Sequence, residues 1–219
     1  MVGIDFARLR GQMVDRQIRA RGVNSKPVLA AMRRIPREKF IPEDLHPMAY
    51  HDSPLPIGAC QTISQPYIVA LMIDSLELQG GEKVLEIGTG SGYAAAVLAE
   101  IAGEVYTIER VDELATNAAA LLADCGYTNV TVVRGDGTLG LPEQAPFDAI
   151  VVTAGAPDIP ESLQRQLKIG GRLVIPVGRH RDLQELLRVT RISEAQFECE
   201  DLTAVRFVPL VGEEGWHSR

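Results

Sequence analysis

The sequence predicts an α/β fold with a doubly wound, mostly parallel sheet, preceded by N-terminal helices and followed by a C-terminal strand pair. Three observations support this fold class. Short apolar, β-rich segments alternate with helix-forming segments between residues 84 and 177. A glycine-rich loop follows the first predicted strand, and an acidic residue lies near the end of each of the first three predicted strands. Such alternation implies parallel strands joined by right-handed helical crossovers.

The N-terminal part of the chain predicts helices and an ordered cover. Residues 6–20 have helical apolar spacing, and Gly22 is suited to end that helix. Ser25 is suited to cap a second helix, and residues 66–78 predict a third. Residues 35–66 contain six prolines but remain apolar, so we expect them to form an ordered loop and no regular element.

The central part of the chain predicts the sheet itself. Strands are expected at residues 84–87, 104–109, 129–134, 147–153 and 171–177, with helices at 94–102, 111–125 and 160–167 and two further strands at 185–192 and 204–211. We expect a single domain over residues 1–219, organised as a cover (1–79), a cofactor-binding core (80–180) and C-terminal strands (181–219).

Composition excludes several classes of protein. No apolar run approaches the roughly 18 residues that a membrane-spanning helix needs, and the start of the chain has no signal-peptide core. The three cysteines, Cys60, Cys125 and Cys199, have neither zinc-site nor disulfide spacing, and the histidines form no ligand pair. We therefore expect a cytoplasmic protein, a monomer, with no metal and no membrane partner.

Charge is unevenly distributed along the chain. The net charge is −7, yet residues 1–40 hold ten Lys or Arg and three Asp or Glu, which leaves −14 for the remainder. The overall sign argues against a nucleic-acid partner. The basic N-terminal part either attracts RNA or acidic proteins or is a solvated helix face, and we expect no nucleic acid.

The loop after the first strand has the pattern E-x-G-x-G-x-G, formed by Glu86, Gly88, Gly90 and Gly92. The dinucleotide fingerprint needs a further glycine where this chain has Tyr93, and no lysine follows to make a phosphate-binding loop. A carboxylate at Glu86 would repel a pyrophosphate but could accept hydrogen bonds from an ammonium group. The pattern resembles the first motif of S-adenosylmethionine-dependent methyltransferases, which implies S-adenosyl-L-methionine as cofactor; a plain structural turn is the alternative.

The acids Glu86, Glu109 and Asp136 follow successive strands, so we expect them to line one crevice at the sheet edge. Glu109 lies 17 residues beyond Gly92, close to the spacing of ~20 expected for an acid that binds ribose hydroxyls. Asp136 could accept from an adenine amine, with Gly137 allowing the ring to approach. Each acid taken alone is more often an ordinary loop residue, but all three at successive strand ends favour a site for ribose and adenine.

Longer motifs give a more specific resemblance. Residues 61–66, with the sequence Q-T-I-S-Q-P, and 67–70 resemble the signature that precedes the cofactor motif in the protein-L-isoaspartate (D-aspartate) O-methyltransferase family. The resemblance extends from about residue 10 to residue 212 and includes residues 32–40, 49–50, 53–57, 135–137, 147–154, 170–178 and 206–210.

This resemblance implies a Rossmann-like fold and a repair enzyme that methylates the α-carboxyl of L-isoaspartyl, and possibly D-aspartyl, residues in damaged proteins and peptides. It also implies that Ser64 is the active-site residue, with Thr62 and Ile63 beside it at the substrate. We expect the Ser64 hydroxyl to orient the carboxylate and not to act as a covalent nucleophile, because no base partner accompanies it. A helix cap before Pro66 is the structural alternative for Ser64.

Two features leave alternatives open. Residues 206–210, with Val208 and Leu210, either form a plain edge strand or pair with an extended substrate peptide, and residues 41–66 suit a lid over that substrate. For the function itself, the alternatives are methylation of RNA or a small molecule, or a binding module that has lost its chemistry.

Overall fold

A computed structural model describes residues 4–181 and 183–217. The strands are β1 Leu55–Gly58, β2 Gln61–Ile63, β3 Lys83–Ile87, β4 Glu104–Glu109, β5 Val130–Arg134, β6 Phe147–Val152, β7 Leu167–His180, β8 Leu183–Arg191 and β9 Phe197–Val205. The α-helices are α1 Phe6–Gln12, α2 Lys26–Arg34, α3 Pro66–Asp74, α4 Tyr93–Ala99, α5 Asp112–Asp124 and α6 Glu161–Arg165.

The main sheet has seven strands in the order β5-β4-β3-β6-β7-β8-β9. Neighbouring strands from β5 to β7 pair in parallel, whereas β8 and β9 add as an antiparallel pair. The fold class predicted from the sequence is therefore confirmed. Strand order reverses between β4 and β6 on either side of β3, so a crevice opens at the carboxyl end of β3.

Residues along the central strands alternate between two hydrophobic cores. Val84 and Val151 pack in the core that also contains the N-terminal helices and α4, whereas Leu85 and Ile150 pack in the core that contains α6. Alternation of side chains across a pleated strand explains why both faces of β3 and β6 are apolar. Burial on both faces of the sheet therefore fixes where the carboxyl ends of β3 and β6 lie.

The N-terminal helices follow the predicted pattern. Helix α1 continues through π-helical and 3-10 turns to Arg21 and ends at Gly22, which has a φ of 100°. Ser25 Oγ caps α2 by accepting a hydrogen bond from the backbone of Val28. No helix among the described residues is long and apolar enough to cross a bilayer.

Two expectations about regular structure were wrong. The proline-rich segment contains the β1–β2 hairpin in addition to short 3-10 turns, because its last third satisfies backbone groups by local pairing. The final strand was expected at residues 204–211, but β9 spans Phe197–Val205. Glu198, Glu200 and Asp201 are exposed on this strand, so the apolar pattern does not reveal it.

Candidate active site

The glycine loop between β3 and α4 lies against Thr153, the residue after β6. The Thr153 hydroxyl donates to the backbone oxygens of Ile87 (3.0 Å) and Gly88 (2.8 Å). Gly88 has a φ of 99°, and a Cβ added there would overlap the Thr153 hydroxyl. Only glycine combines this backbone conformation with so close an approach.

Glu109 ties the loop to the start of α5. Its carboxylate accepts hydrogen bonds from the backbone of Gly90 and of Val111, both at 2.9 Å, and the residue is 6% exposed. Each carboxylate oxygen can accept more than one hydrogen bond, so both retain acceptor capacity. Glu109 is thus held rigidly with capacity left for a ligand.

Glu86 is fully buried at the end of β3. Thr107 Oγ1 donates to Glu86 Oε2 at 2.5 Å, while Glu86 Oε1 is one of the buried side-chain atoms without a hydrogen-bond partner among the described residues. Burial raises the pKa of Glu86 to about 8, the Thr107 hydrogen bond opposes this shift, and the charge of Glu109 adds to it. An unpaired buried carboxyl oxygen at a sheet edge can receive a donor such as an ammonium group.

Asp136 binds the C-terminal segment. Its Oδ1 accepts from the backbone and hydroxyl of Thr138 (2.9 and 2.7 Å), and its Oδ2 accepts from the backbone of Glu213 (2.8 Å). A Cβ on Gly212 would overlap the Asp136 carboxylate. Oδ2 retains one lone pair, so the expected adenine contact of Asp136 stays a prediction.

Three cavities lie around Thr153, the residue that contacts the glycine loop. The sheet-edge cavity is lined by residues that include Gly88, Gly90, Glu109, Gly137, Thr153, Val208 and Leu210. The Ser64 groove is lined by Pro54, Thr62, Ser64, Gln65, Ile68 and Thr153, and on its other side by Leu183 and residues 204–208. The connecting cavity is lined by residues that include Thr62, Ile63, Ser64, Glu86, Tyr93 and Thr153.

Thr62 and Thr153 line all three cavities. A molecule in the sheet-edge cavity and another in the Ser64 groove would therefore approach each other at these two residues. Thr62 was expected from the sequence, whereas Thr153 was considered only as the end of a strand. A polar residue directly after an apolar strand, the signal that identified the acids, would have identified Thr153 as well.

The structure brings most of the expected site residues together. Glu86, Gly88 and Gly90 lie with Ile63 and Ser64 around the connecting cavity, and Glu109 and Gly137 line the sheet-edge cavity. Gly92 supports the loop from outside these linings: it is the N-cap of α4, with a φ of 87°.

Residues 206–210 do not form a plain edge strand, which was one of the two alternatives that the sequence left open for them. Val208 O accepts from Gly155 N and Leu210 N donates to Gly155 O, both at 2.8 Å, so these backbone groups are already paired. Val208 lines both the sheet-edge cavity and the Ser64 groove, whereas Leu210 lines the sheet-edge cavity. This stretch forms a wall between the two spaces.

Comparison with known proteins decides the family. The model of the protein-L-isoaspartate (D-aspartate) O-methyltransferase family matches residues 8–215. The chain belongs to this family. The family resemblance stated from the motifs is therefore confirmed.

Relatives and solved structures agree with the family assignment. A Rhodopseudomonas palustris (strain HaA2) protein named protein-L-isoaspartate O-methyltransferase 1 is 62% identical over 213 residues, covering 97% of this chain and 87% of its own length. A Syntrophus aciditrophicus protein-L-isoaspartate O-methyltransferase is 60% identical over 213 residues, covering 96% of this chain and 97% of its own.

Among solved structures, a protein-L-isoaspartate O-methyltransferase aligns with a TM-score of 0.84 and 30% identity over 94% of this chain and 67% of its own. A Plasmodium falciparum protein in complex with S-adenosyl-L-homocysteine aligns with a TM-score of 0.79 and 25% identity, over 92% of this chain and 98% of its own.

Side chains that could bind a metal are not clustered in the described part of this methyltransferase. Over residues 4–181 and 183–217, no three His, Cys, Asp or Glu side chains come together as a metal site would require. The carboxylates of Glu86, Glu109 and Asp136 instead accept hydrogen bonds from backbone N–H groups and hydroxyl groups.

We predict that Glu86→Gln changes how stability depends on pH in the cofactor-free protein. Because the folded pKa of Glu86 lies above its unfolded value, the folded state retains a proton that the unfolded state releases, and stability falls as pH rises from 4.5 to about 8. Gln stays neutral at all these pH values. When the pH is raised from about 5 to 8, the Tm of the variant should therefore fall less than that of the wild type, by a difference of at least ~2 °C.

Thermal unfolding at several pH values measures this difference. Glu113→Gln is the control, since Glu113 is an exposed acid on α5. Equal pH dependence of Tm in the wild type and Glu86→Gln would contradict a protonated Glu86.

Proposed function

We propose that this chain transfers a methyl group from S-adenosyl-L-methionine to the α-carboxyl of L-isoaspartyl residues in damaged proteins and peptides. The observation that carries the proposal is the junction of the sheet-edge cavity and the Ser64 groove at Thr62 and Thr153. Membership of the family supports the reaction, and we place the peptide in the Ser64 groove. D-aspartyl residues are a second candidate substrate.

The residues around the sheet-edge cavity fit the cofactor. Glu109 retains acceptor capacity for the ribose hydroxyls, and the unpaired Glu86 Oε1 suits the ammonium group. Gly137 lines this cavity beside Ile87, so closely that a Cβ on Gly137 would overlap Ile87, and we propose that the adenine ring lies against the Gly137 backbone. Asp136 adjoins Gly137 and is proposed to contact the adenine through its remaining lone pair.

The bound cofactor supplies a methyl group that its sulfonium charge already activates. The acceptor carboxylate is ionised at neutral pH, so the protein needs no general base to make it a nucleophile. The protein instead holds the carboxylate in line with the methyl group and limits access of water. Without the enzyme, the neighbouring backbone amide nitrogen then attacks the product ester and releases methanol to form a succinimide. Hydrolysis of the succinimide returns some normal aspartate.

Ser64 is proposed to orient the substrate carboxylate. It lines the Ser64 groove and the connecting cavity, next to Thr62 and Ile63. A hydroxyl that donates to one carboxylate oxygen would direct the other toward the methyl group, and hydrogen bonds to charged groups contribute about 1.5–3 kcal/mol. Val208 would bound the substrate from the opposite wall, and Leu210 would support that wall from the cofactor side.

The basic N-terminal part gives little support to methylation of RNA. Several of its arginines are engaged within the protein, including Arg21 with Asp52, Arg33 with Asp15 and Arg34 with Glu100. We therefore expect no nucleic-acid partner. No membrane partner, a monomer, a single methyltransferase domain and a cytoplasmic location remain predictions from the sequence.

Labelled methyl transfer to matched peptides tests the proposed function. With labelled S-adenosyl-L-methionine, the peptide that contains isoaspartate should acquire a base-labile methyl ester, and the peptide with normal aspartate should not. Labelling of RNA in place of the peptide would favour the alternative function, and absence of any labelling would favour a binding module.

Glu109→Ala should weaken binding of S-adenosyl-L-homocysteine by about 1 kcal/mol or more, since it removes charge-assisted hydrogen bonds. Isothermal titration measures the affinity, and thermal unfolding shows whether the loop that Glu109 supports remains folded. Glu113→Gln, on the exposed side of α5, is the control. Unchanged affinity in Glu109→Ala would refute the ribose assignment.

Ser64→Ala should lower kcat with an isoaspartyl peptide by about tenfold or more, because the carboxylate loses its orienting donor. Affinity for S-adenosyl-L-homocysteine should stay close to that of the wild type. Ser193→Ala, which alters an exposed serine after β8, is the matched control. Wild-type turnover in Ser64→Ala would remove Ser64 from the reaction.

A further inference from the structure

Arg37 is a fully buried guanidinium in the N-terminal cover, 0% exposed, within the 3-10 turn Arg37–Phe40. Its hydrogen bonds go to backbone carbonyl oxygens: Nε donates to Ala49 O and Nη2 donates to Ser64 O, both at 2.9 Å. Arg37 Nη1 is one of the buried atoms without a hydrogen-bond partner in the described part of the chain.

The same guanidinium packs on Tyr93, with its central carbon 4.8 Å from the ring centroid. Tyr93 is 1% exposed and is the first residue of α4, directly after the glycine loop. It also lines the connecting cavity together with Ser64. One side chain therefore contacts both the backbone of Ser64 and the helix that begins beside the cofactor loop.

The residues after Ser64 are held by a second side chain. Asp52 accepts hydrogen bonds from Gln65 Nε2 (2.7 Å) and from the backbone of Tyr67 (3.2 Å). This fixes the start of α3, whereas Arg37 binds Ser64 itself. Between the β1–β2 hairpin, which ends at Ile63, and the start of α3, the hydrogen bond from Arg37 is made to the backbone of Ser64 itself.

A buried charge is a costly way to satisfy two carbonyl groups. Removing a guanidinium from water carries a desolvation cost of several kcal/mol, and an apolar residue of similar volume is often neutral or stabilising at such a position. Lysine would reproduce this arrangement poorly, because its single nitrogen would have to reach both carbonyl oxygens that Arg37 contacts from two separate nitrogens. The cost of burying Arg37 is therefore explained better by placement of a functional residue than by folding alone.

We propose that Arg37 is a positioning residue for methyl transfer, which sets the distance between Ser64 and the cofactor loop by binding Ser64 O while it packs on Tyr93. This inference rests on the proposed function. It assigns no contact between Arg37 and the substrate, so Arg37 should affect turnover only through Ser64.

A double-mutant cycle tests this dependence. Turnover of an isoaspartyl peptide is measured for the wild type, R37M, S64A and R37M/S64A, and R37K replaces R37M in a parallel cycle. R37M should lower kcat by about tenfold when Ser64 is present and by less than about twofold in the S64A background, because residues that act as one unit are not additive. R37K should fall between R37M and the wild type.

Affinity for S-adenosyl-L-homocysteine and Tm are measured on the same variants. We expect the affinity of R37M to stay within about twofold of the wild type, since the loss lies in orientation of the acceptor. R34M is the control, because Arg34 is an exposed arginine of the same cover. If R37M does not fold, the R37K cycle decides the question alone.

If R37M lowered kcat equally in the wild-type and S64A backgrounds, the proposal would be overturned. A loss of turnover in R37M that accompanied a loss of affinity for S-adenosyl-L-homocysteine would also overturn it. A wild-type protein without isoaspartate-dependent methylation would instead refute the proposed function. The two failures are therefore distinguished within one experiment.

Discussion

The contact between Gly88 and Thr153 is the constraint on which the site depends. Thr153 donates to the backbone oxygens of Ile87 and Gly88, so the ends of β3 and β6 are joined where the glycine loop begins. No residue with a Cβ can occupy position 88 without displacing this hydroxyl. Because Thr153 also lines all three cavities, this contact determines how closely the sheet-edge cavity and the Ser64 groove approach each other.

The acids at the strand ends share a position but differ in environment. Glu109 is engaged by two backbone donors, whereas Glu86 has one hydroxyl donor and an unpaired oxygen. Burial raises the pKa of Glu86 in spite of the hydrogen bond from Thr107, and a positively charged ligand group beside this carboxyl would lower that pKa again. Their proposed roles, ribose contact for Glu109 and ammonium contact for Glu86, follow from this difference.

The sheet and the sheet-edge residues could be predicted from sequence, because both follow from local rules. Strand β4 lies at Glu104–Glu109, as its apolar alternation indicated, and the carboxyl ends of parallel strands must share one edge. Strand β9 was misplaced because its exposed side carries acids, which remove the apolar pattern while the pairing with β8 remains. Sheet pairing across the chain, and not local sequence, decides such an edge strand.

Side-chain partners over long sequence separations could not be predicted. Asp136 binds the backbone of Glu213, and Arg37 binds the carbonyl of Ser64, yet no local pattern connects these residues. Both partnerships arise from the packing of the cover and the C-terminal segment on the sheet, which burial imposes only once the fold exists. The motif around Arg37 indicated the family but gave no sign that its guanidinium is buried.

A structure of the protein with S-adenosyl-L-homocysteine and an isoaspartyl peptide tests the central claim most directly. The sulfur of S-adenosyl-L-homocysteine should lie in the connecting cavity beside Thr62 and Thr153. It should face a peptide carboxylate that accepts a hydrogen bond from Ser64. If a methyl group is placed on that sulfur, as in S-adenosyl-L-methionine, its carbon should lie about 3–3.5 Å from the carboxylate oxygen. A sulfur that points away from Ser64, or a peptide bound outside the Ser64 groove, would contradict the account.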